Sequence, residues 1–211
     1  MTDLANAAPA PASATRANNI TLLLLVALFV LPVVAATALY LTGWQPQSTS
    51  NRGALISPAR AVQDVEMQTL AGAPFRFAQL KDKWVLVYFG RSDCPAACQR
   101  SLYMMRQSHT AVGKEKDRVA RVLVLLDAKI PAADQPALQP TLQNFPGTLV
   151  VGGVASGALL DQFSAGSGKQ SGSEIYLIDP LGNLILRYDA ALDNPGIHKD
   201  LTRLLKNSWV G

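Results

Sequence analysis

A long uncharged apolar segment near the N-terminus limits what this chain can fold into. Residues 20–41 read ITLLLLVALFVLPVVAATALYL, which is 22 residues without a charged side chain. As a helix rising about 1.5 Å per residue the segment would be about 33 Å long, and the hydrocarbon core of a bilayer is about 30 Å thick. The apolar core of a signal peptide is shorter, about 7–15 residues. We therefore predict an uncleaved transmembrane helix at residues 20–42, with a cleaved signal peptide as the alternative.

The rest of the chain has the charge content of an ordinary globular domain. Charged residues are 16% of the whole chain, but residues 17–51 contain none and residues 52–211 contain 32 of the 34. This distribution excludes an intrinsically disordered polyelectrolyte, a collagen-like repeat and a multispanning transporter. The formal net charge of +4 is spread over both halves of the chain, so no nucleic-acid partner is expected.

The sequence divides into four regions. Residues 1–19 are rich in Ala, Pro, Asn, Ser and Thr and are predicted to be a disordered tail. The predicted transmembrane helix at residues 20–42 follows, and then a polar Gly/Pro/Ser linker at residues 43–60. Residues 61–211 are long enough to bury a core of their own and are predicted to form one α/β domain. Arginines lie on both sides of the apolar segment, so the positive-inside rule does not fix its orientation.

Strand and helix patterns alternate along the predicted domain. Continuous apolar runs at residues 84–89 and 119–126 are typical of strands that are buried on both faces. Further strands are predicted at residues 62–70, 149–151, 174–178 and 184–188, and the last two flank the strong turn sequence DPLGN. Helices are predicted at residues 95–112, 132–144, 156–163 and 197–206. This order predicts a thioredoxin-like α/β domain preceded by one N-terminal transmembrane helix.

The two cysteines of the chain, Cys94 and Cys98, lie between the predicted central strand and the helix that follows it. Residues four apart on a helix are about 6 Å apart, which suits both a disulfide and two thiolates on one metal ion. The positive end of the helix lowers a thiol pKa, and a thiolate is both the nucleophile of disulfide exchange and a ligand for soft metals. The pair therefore indicates a redox dithiol or a metal-binding pair, with two buried structural cysteines as the alternative.

The segment around these cysteines resembles a known family. Residues 83–98, KWVLVYFGRSDCPAAC, are similar to the WVLVYFGYTHCPxxCP-type hallmark of the Sco/SenC family. Residues 176–182, YLIDPLG, are similar to that family's YLIDPxG segment, and residues 124–127, VLLD, stand where the family has a strand ending in SVDP. The similarity runs in order over residues 60–205, and the chain is identified as a divergent Sco/SenC-like protein.

The resemblance implies a location, a ligand and partners. Sco/SenC proteins are thioredoxin-like and membrane-anchored, and the resemblance places the C-terminal domain in the periplasm. They bind copper and deliver it to the CuA site of cytochrome c oxidase, or maintain the cysteines of that site. The implied ligand is therefore copper, and the implied partners are the inner membrane and cytochrome c oxidase subunits or other assembly factors.

The sequence departs from the family pattern at the implied copper site. The family completes a Cys–Cys–His site with a histidine shortly before the YLIDP strand, and Ser171 stands in that position here. The proline after the second cysteine is replaced by Gln99. Two thiolates suffice for Cu(I) but hold Cu(II) poorly without an imidazole, so we predict weak or Cu(I)-only binding by Cys94 and Cys98.

Neither histidine is predicted to replace the missing ligand. His109 follows Cys98 by eleven residues on the same helix, about 16 Å along the axis, and is interpreted as a solvent-facing or capping residue. His198 is predicted to lie on the surface at the start of the last helix. Met104 and Met105 have the helical spacing of core residues.

The sequence does not determine the roles of three charged residues, of which two precede Cys94 and one follows a neighbouring strand. Arg91 would lower the pKa of the Cys94 thiol and Asp93 would raise it, so their effects oppose each other. Asp127 ends a neighbouring predicted strand and is either close to the cysteines or an ordinary turn residue.

Three functions are compatible with these observations. The first is a protein that assists cytochrome c oxidase assembly through Cys94 and Cys98, by copper handling or by thiol maintenance of the copper site. The second is a periplasmic thiol–disulfide oxidoreductase that uses the same two residues. The third is a non-catalytic scaffold with a structural disulfide. Thiol–disulfide reductase activity is the enzymatic activity considered, and a conventional enzyme is not expected.

Overall fold

The computed structural model describes residues 14–43, 51–127, 138–165, 174–190 and 196–209. The chain forms two compact units, residues 1–48 and residues 49–211. The first unit contains helix α1, Ala14–Leu41. Within it, Asn19–Leu41 is long and apolar enough to cross a membrane, and none of its side chains is buried inside the protein. The predicted apolar segment is therefore a helix and a candidate membrane span.

Helix α1 begins six residues before the predicted start at residue 20, so the predicted tail of residues 1–19 is helical from Ala14. Alanine and arginine at residues 14 and 16 are good helix formers, and they extend the helix beyond the apolar residues. Residues 1–13 lie outside the described residues.

Among its described residues, the second unit contains eight strands and four α-helices. The strands are β1 (Ala54–Ala61), β2 (Met67–Thr69), β3 (Pro74–Phe75), β4 (Trp84–Gly90), β5 (Val119–Leu125), β6 (Leu149–Gly152), β7 (Glu174–Ile178) and β8 (Asn183–Asp189). The helices are α2 (Ala96–Ala111), α3 (Gln139–Asn144), α4 (Ser156–Ser164) and α5 (Ile197–Asn207). One mixed sheet contains all eight strands in the order β1-β8-β7-β4-β5-β6-β2-β3. The predicted α/β class is confirmed.

The central strand β4 separates two apolar layers. It pairs in parallel with β5 and antiparallel with β7, and all seven of its residues are buried. Its even-numbered side chains, at residues 84, 86 and 88, pack in the cluster that contains residues of α2 and α5. Its odd-numbered side chains, at residues 85, 87 and 89, pack in the cluster that contains residues of α4. Helices therefore cover both faces, which explains the uninterrupted apolar run of this strand.

The structure differs from the sequence prediction at the start of the domain. The predicted linker, residues 43–60, contains most of β1, and the predicted strand at residues 62–70 is reduced to β2. Strand β1 lies at the edge of the sheet and most of its residues are exposed, so it lacks the alternation of apolar and polar residues that marks a half-buried strand. An edge strand also tolerates Pro58, because N–H groups on one side of such a strand need no partner.

A buried carboxylate fixes the first residues of this unit to α5. Asp200 is only 2% exposed. It accepts hydrogen bonds from the backbone N–H of Arg52 at 2.9 and 3.1 Å, from that of Gly53 at 2.9 Å and from the hydroxyl of Tyr188 at 3.1 Å. A side chain at Gly53 would come within 2.5 Å of the Tyr188 ring, so this turn requires glycine.

Tyr188 makes the stability of the domain sensitive to alkaline pH. Burial, the charge of Asp200 and the hydrogen bond to Asp200 all raise the pKa of Tyr188 above its ordinary value near 10. Because the folded-state pKa is raised, this contribution to stability is fully present below about pH 10 and is lost as the pH rises further. We expect the free energy of unfolding in urea to fall as the pH rises above about 10, and to fall less in Tyr188→Phe. Tyr88, whose pKa burial also raises, gives a residual decrease in both proteins, and equal decreases would contradict the prediction.

Candidate functional site

Cys94 and Cys98 form a disulfide at the point where β4 leads into α2. Their Cα atoms are 5.1 Å apart, and the two residues are 1% and 2% exposed. Helix α2 begins at Ala96, so only Cys98 lies in its first turn and Cys94 precedes it. Pro95 is the N-cap residue, with the extended backbone angles φ −61° and ψ 174°, and not the first helical residue that the sequence predicts. The two cysteines are nevertheless adjacent, as their spacing predicts.

The end of β4, at Gly90, lies next to the disulfide. A β-carbon at Gly90 would lie 3.1 Å from Leu123, 3.2 Å from the Tyr88 ring and 3.6 Å from the sulfur of Cys98. A larger residue at this position would therefore press on the Leu123 and Tyr88 side chains, while its β-carbon would be in ordinary contact with the Cys98 sulfur. The cysteines belong to the apolar cluster on the α2 side of the sheet, together with Leu102 and Tyr88.

The backbone of Cys94 has an unusual conformation. Its φ angle is +34°, in the left-handed region that residues with a β-carbon rarely adopt. Its N–H donates to the carbonyl oxygen of Arg91 at 3.1 Å. Its carbonyl oxygen accepts a hydrogen bond from Nε2 of Gln99 at 3.2 Å. The sequence identifies Gln99 only as a departure from the family pattern, and it gives no signal of this contact.

The loop before Cys94 is held by Asp127, which lies two residues after the end of β5. Oδ1 of Asp127 accepts the backbone N–H of Ser92 at 2.8 Å, and Oδ2 accepts the Ser92 hydroxyl at 3.1 Å. Arg91 forms an exposed ion pair with Asp93 at 3.2 Å, and its NH2 lies 4.0 Å from Asp127. Asp127 therefore contacts the loop that leads to Cys94, because β4 and β5 are parallel and end at the same edge of the sheet.

Replacing Asp127 by alanine should loosen this loop. The change removes two hydrogen bonds to Ser92 at a partly exposed position, and we expect the free energy of unfolding to fall by about 1–2 kcal/mol. We also expect dithiothreitol to reduce the Cys94–Cys98 disulfide faster. Ser92→Ala is the matched control, because it removes the hydroxyl and keeps the backbone hydrogen bond. Urea unfolding and thiol release would be measured for both variants, and equal effects would contradict the role assigned to Asp127.

The start of α2 favours a thiolate when the disulfide is reduced. Free N–H groups and the helix dipole place positive potential at this end, and the first turn contains no acidic residue. This potential favours the thiolate form of a cysteine, whereas burial of both residues in the apolar cluster opposes it. The arrangement can therefore support disulfide exchange or the binding of a soft cation.

No third metal ligand lies beside the cysteines in the part of the chain that the structure describes. Across these residues, no group of three or more His, Cys, Asp and Glu side chains could hold a metal ion. Ser171, at the position of the family histidine, lies outside the described residues.

The histidines and methionines considered as ligands lie on α2 and α5. His109 is partly buried in the last turn of α2, hydrogen-bonds to the backbone of Lys116 and Val119, and has its pKa lowered by burial and by the charge of Arg121. His109 therefore links the end of α2 to the segment that leads into β5. His198 is the second residue of α5 and is half-buried. Met104 and Met105 are buried in the core, which confirms their prediction.

Comparison with protein families and curated proteins identifies relatives of this chain. The model of the family described as transmembrane-like, thioredoxin-like, C-terminal domain matches residues 84–208. A protein of Stutzerimonas stutzeri that bears the name of a copper-binding protein is 25% identical over 186 residues, which cover 77% of this chain and 89% of that protein.

Solved structures of Sco proteins have the same fold. Copper-bound ScoI of Bradyrhizobium japonicum superposes with a TM-score of 0.55 at 20% identity, covering 68% of this chain and 99% of that chain. BsSco, described as a member of the Sco family of cytochrome c oxidase assembly proteins, superposes with a TM-score of 0.55 at 15% identity, covering 71% and 93%. The thioredoxin-like fold and the resemblance to Sco/SenC proteins are thus confirmed.

Proposed function

This chain belongs to the transmembrane-like, thioredoxin-like C-terminal domain family, and we propose that it is a membrane-anchored Sco-like protein that assists cytochrome c oxidase assembly. In this proposal α1 is a single-pass anchor in the inner membrane and the C-terminal domain lies in the periplasm. The observation that carries the proposal is the adjacent Cys94–Cys98 pair at the start of α2, in a fold shared with a copper-bound Sco protein.

The proposed chemistry is reduction of an oxidised copper-site disulfide in the client. One thiolate of the reduced pair attacks the client disulfide, forms a mixed disulfide and releases the first client thiolate. The second cysteine then attacks the mixed disulfide, releases the second client thiolate and closes the Cys94–Cys98 disulfide. Two electrons pass to the client, whose two sulfurs take up two protons when they leave as thiols. A dithiol reductant of the same compartment returns the pair to its reduced form.

Burial of the pair supports a dedicated client over a broad range of substrates. Both cysteines are almost inaccessible to solvent, so a client must fit closely against the loop at residues 91–94 to reach them. A general oxidoreductase of the periplasm, the second function compatible with the sequence, needs an accessible attacking thiol. The geometry therefore supports the assembly role better.

Copper enters this proposal as cargo. Two soft thiolates fit Cu(I), which needs no more than two such ligands. Cu(II) prefers additional nitrogen ligands, and neither of the two histidines in the sequence groups with the cysteines among the described residues. The chain would accordingly carry Cu(I) on the reduced pair and release it to the client thiols.

Deletion of the gene tests the proposal. We expect the deletion strain to lose cytochrome c oxidase activity and copper at the CuA site, and the full-length chain to restore both. Oxidase activity in isolated membranes and copper content of the purified oxidase are the two measurements. Unchanged activity and copper occupancy in the deletion strain would contradict the proposed function.

A further inference from the structure

We propose that Gln99 is a positioning residue that stabilises the oxidised form of the Cys94–Cys98 pair. The proposal rests on the redox role proposed above and adds a residue that sets the balance between disulfide and dithiol. Its basis is the contact between the Gln99 side chain and the backbone of Cys94.

Cys94 needs support in the conformation that it adopts. Among the described residues other than glycine, only Asp82 and Cys94 have a positive φ angle. In the left-handed region the β-carbon crowds the following carbonyl group, so such a conformation persists only where its surroundings hold it.

Two hydrogen bonds hold Cys94 from its two sides. Its N–H donates to the carbonyl oxygen of Arg91, and its carbonyl oxygen accepts Nε2 of Gln99. The Gln99 side chain thus reaches back from the first turn of α2 to the residue before Pro95. The backbone N–H of Gln99 donates to the carbonyl oxygen of Pro95 at 3.0 Å, which closes the first turn of the helix.

A proline at this position could make neither contact of Gln99. Proline has no backbone N–H and no side-chain donor, and its ring would clash with the Pro95 carbonyl group four residues earlier. Proline is the residue that the Sco/SenC pattern has after its second cysteine. Gln99 therefore makes two hydrogen bonds in this turn that a proline at the same position could not make.

Reduction releases the constraint on Cys94. When the bond between the two sulfurs breaks, Cys94 is free to leave the left-handed conformation, and the Gln99 contact weakens as it does so. The contact then contributes more to the disulfide than to the dithiol. One side-chain hydrogen bond of ordinary strength changes an equilibrium constant about fivefold.

Redox equilibration of the full-length chain in detergent with glutathione tests this inference. Gln99→Met keeps the length of the side chain and removes its donor, and we expect its disulfide to be reduced about fivefold more readily than in the unaltered chain. Gln99→Pro also removes the backbone hydrogen bond and should change the equilibrium further in the same direction. Gln107→Met makes the same change at an exposed position farther along α2 and should leave the equilibrium constant unchanged.

The equilibrium constant for reduction of the disulfide by glutathione distinguishes a positioning role of Gln99 from a merely structural one. If Gln99→Met lowers the unfolding free energy of both redox forms equally and leaves the glutathione equilibrium unchanged, the inference is overturned. A change as large in Gln107→Met would overturn it too. The result is independent of the client, so loss of the proposed oxidase role would leave the measured equilibrium valid.

Discussion

Replacing Asp200 by alanine is expected to destabilise the globular domain by about 3 kcal/mol, a large change for a domain of this size. The carboxylate is buried and satisfies three donors at once: two backbone N–H groups, of Arg52 and Gly53, and the hydroxyl of Tyr188. Removing it leaves these donors without an acceptor, and the cost of a buried unsatisfied donor exceeds the net value of an ordinary hydrogen bond. Urea unfolding followed by circular dichroism would measure the loss.

Two further variants isolate the cause of this destabilisation. Asp161→Ala removes a carboxylate from an exposed position of α4 and should change the unfolding free energy by less than about 0.5 kcal/mol. Tyr188→Phe removes one of the three donors and keeps the ring, so its effect should be smaller than that of Asp200→Ala. If Asp200→Ala proved as mild as Asp161→Ala, the contacts of Asp200 would not be what holds residues 52 and 53.

The contacts of Asp200 are an example of structure that local sequence patterns do not predict. The apolar runs of β4 and β5 and the DPLGN turn between β7 and β8 are local signals, and the structure confirms the elements that they predict. Asp179 even supplies the turn with its own acceptors, for the N–H groups of Leu181 and Asn183. Asp200 instead meets residues about 148 positions away in sequence, and no local pattern indicates such a partner. The sequence does not predict strand β1, for a related reason. This segment is a strand because it pairs with β8, and its own composition does not indicate one.

In the candidate site, too, local sequence patterns predict some features, and contacts between residues distant in sequence determine the others. Local sequence predicts that Cys94 and Cys98 are adjacent, because they lie four positions apart at the start of a predicted helix and an apolar run predicts the strand before them. The position of Asp127 near the cysteines follows from the parallel pairing of β4 and β5, which the sequence suggests but does not fix. Gln99 contacts the backbone of Cys94, whose left-handed conformation no local sequence pattern predicts. The absence of the family's third copper ligand, with Ser171 in place of the histidine, stays a prediction, because that residue lies outside the described residues.

Replacing both cysteines by alanine is expected to abolish the proposed function while the domain still folds. The double variant Cys94→Ala/Cys98→Ala loses the disulfide and the thiolates together. The disulfide closes a loop of only a few residues, so its loss should cost about 2 kcal/mol, less than the total stability of an ordinary domain. We expect this variant to be folded by circular dichroism and to leave oxidase activity in the deletion strain at the level of the empty vector.

A matched control variant and two additives, copper and a dithiol, distinguish copper delivery by the cysteines from reduction of a client disulfide. Met105→Leu changes a buried sulfur of the same helix to an apolar group of similar volume, and it should restore the oxidase as the unaltered chain does. If the pair carries copper, added copper should partly restore the oxidase of the double variant, because the client then takes the metal without a carrier. If the pair reduces a client disulfide, a membrane-permeant dithiol should restore the oxidase instead, because that reagent supplies the two electrons that the pair would have supplied. Full oxidase activity in the double variant without either supplement would show that the Cys94–Cys98 pair has no part in assembly, and it would leave a structural disulfide as its role.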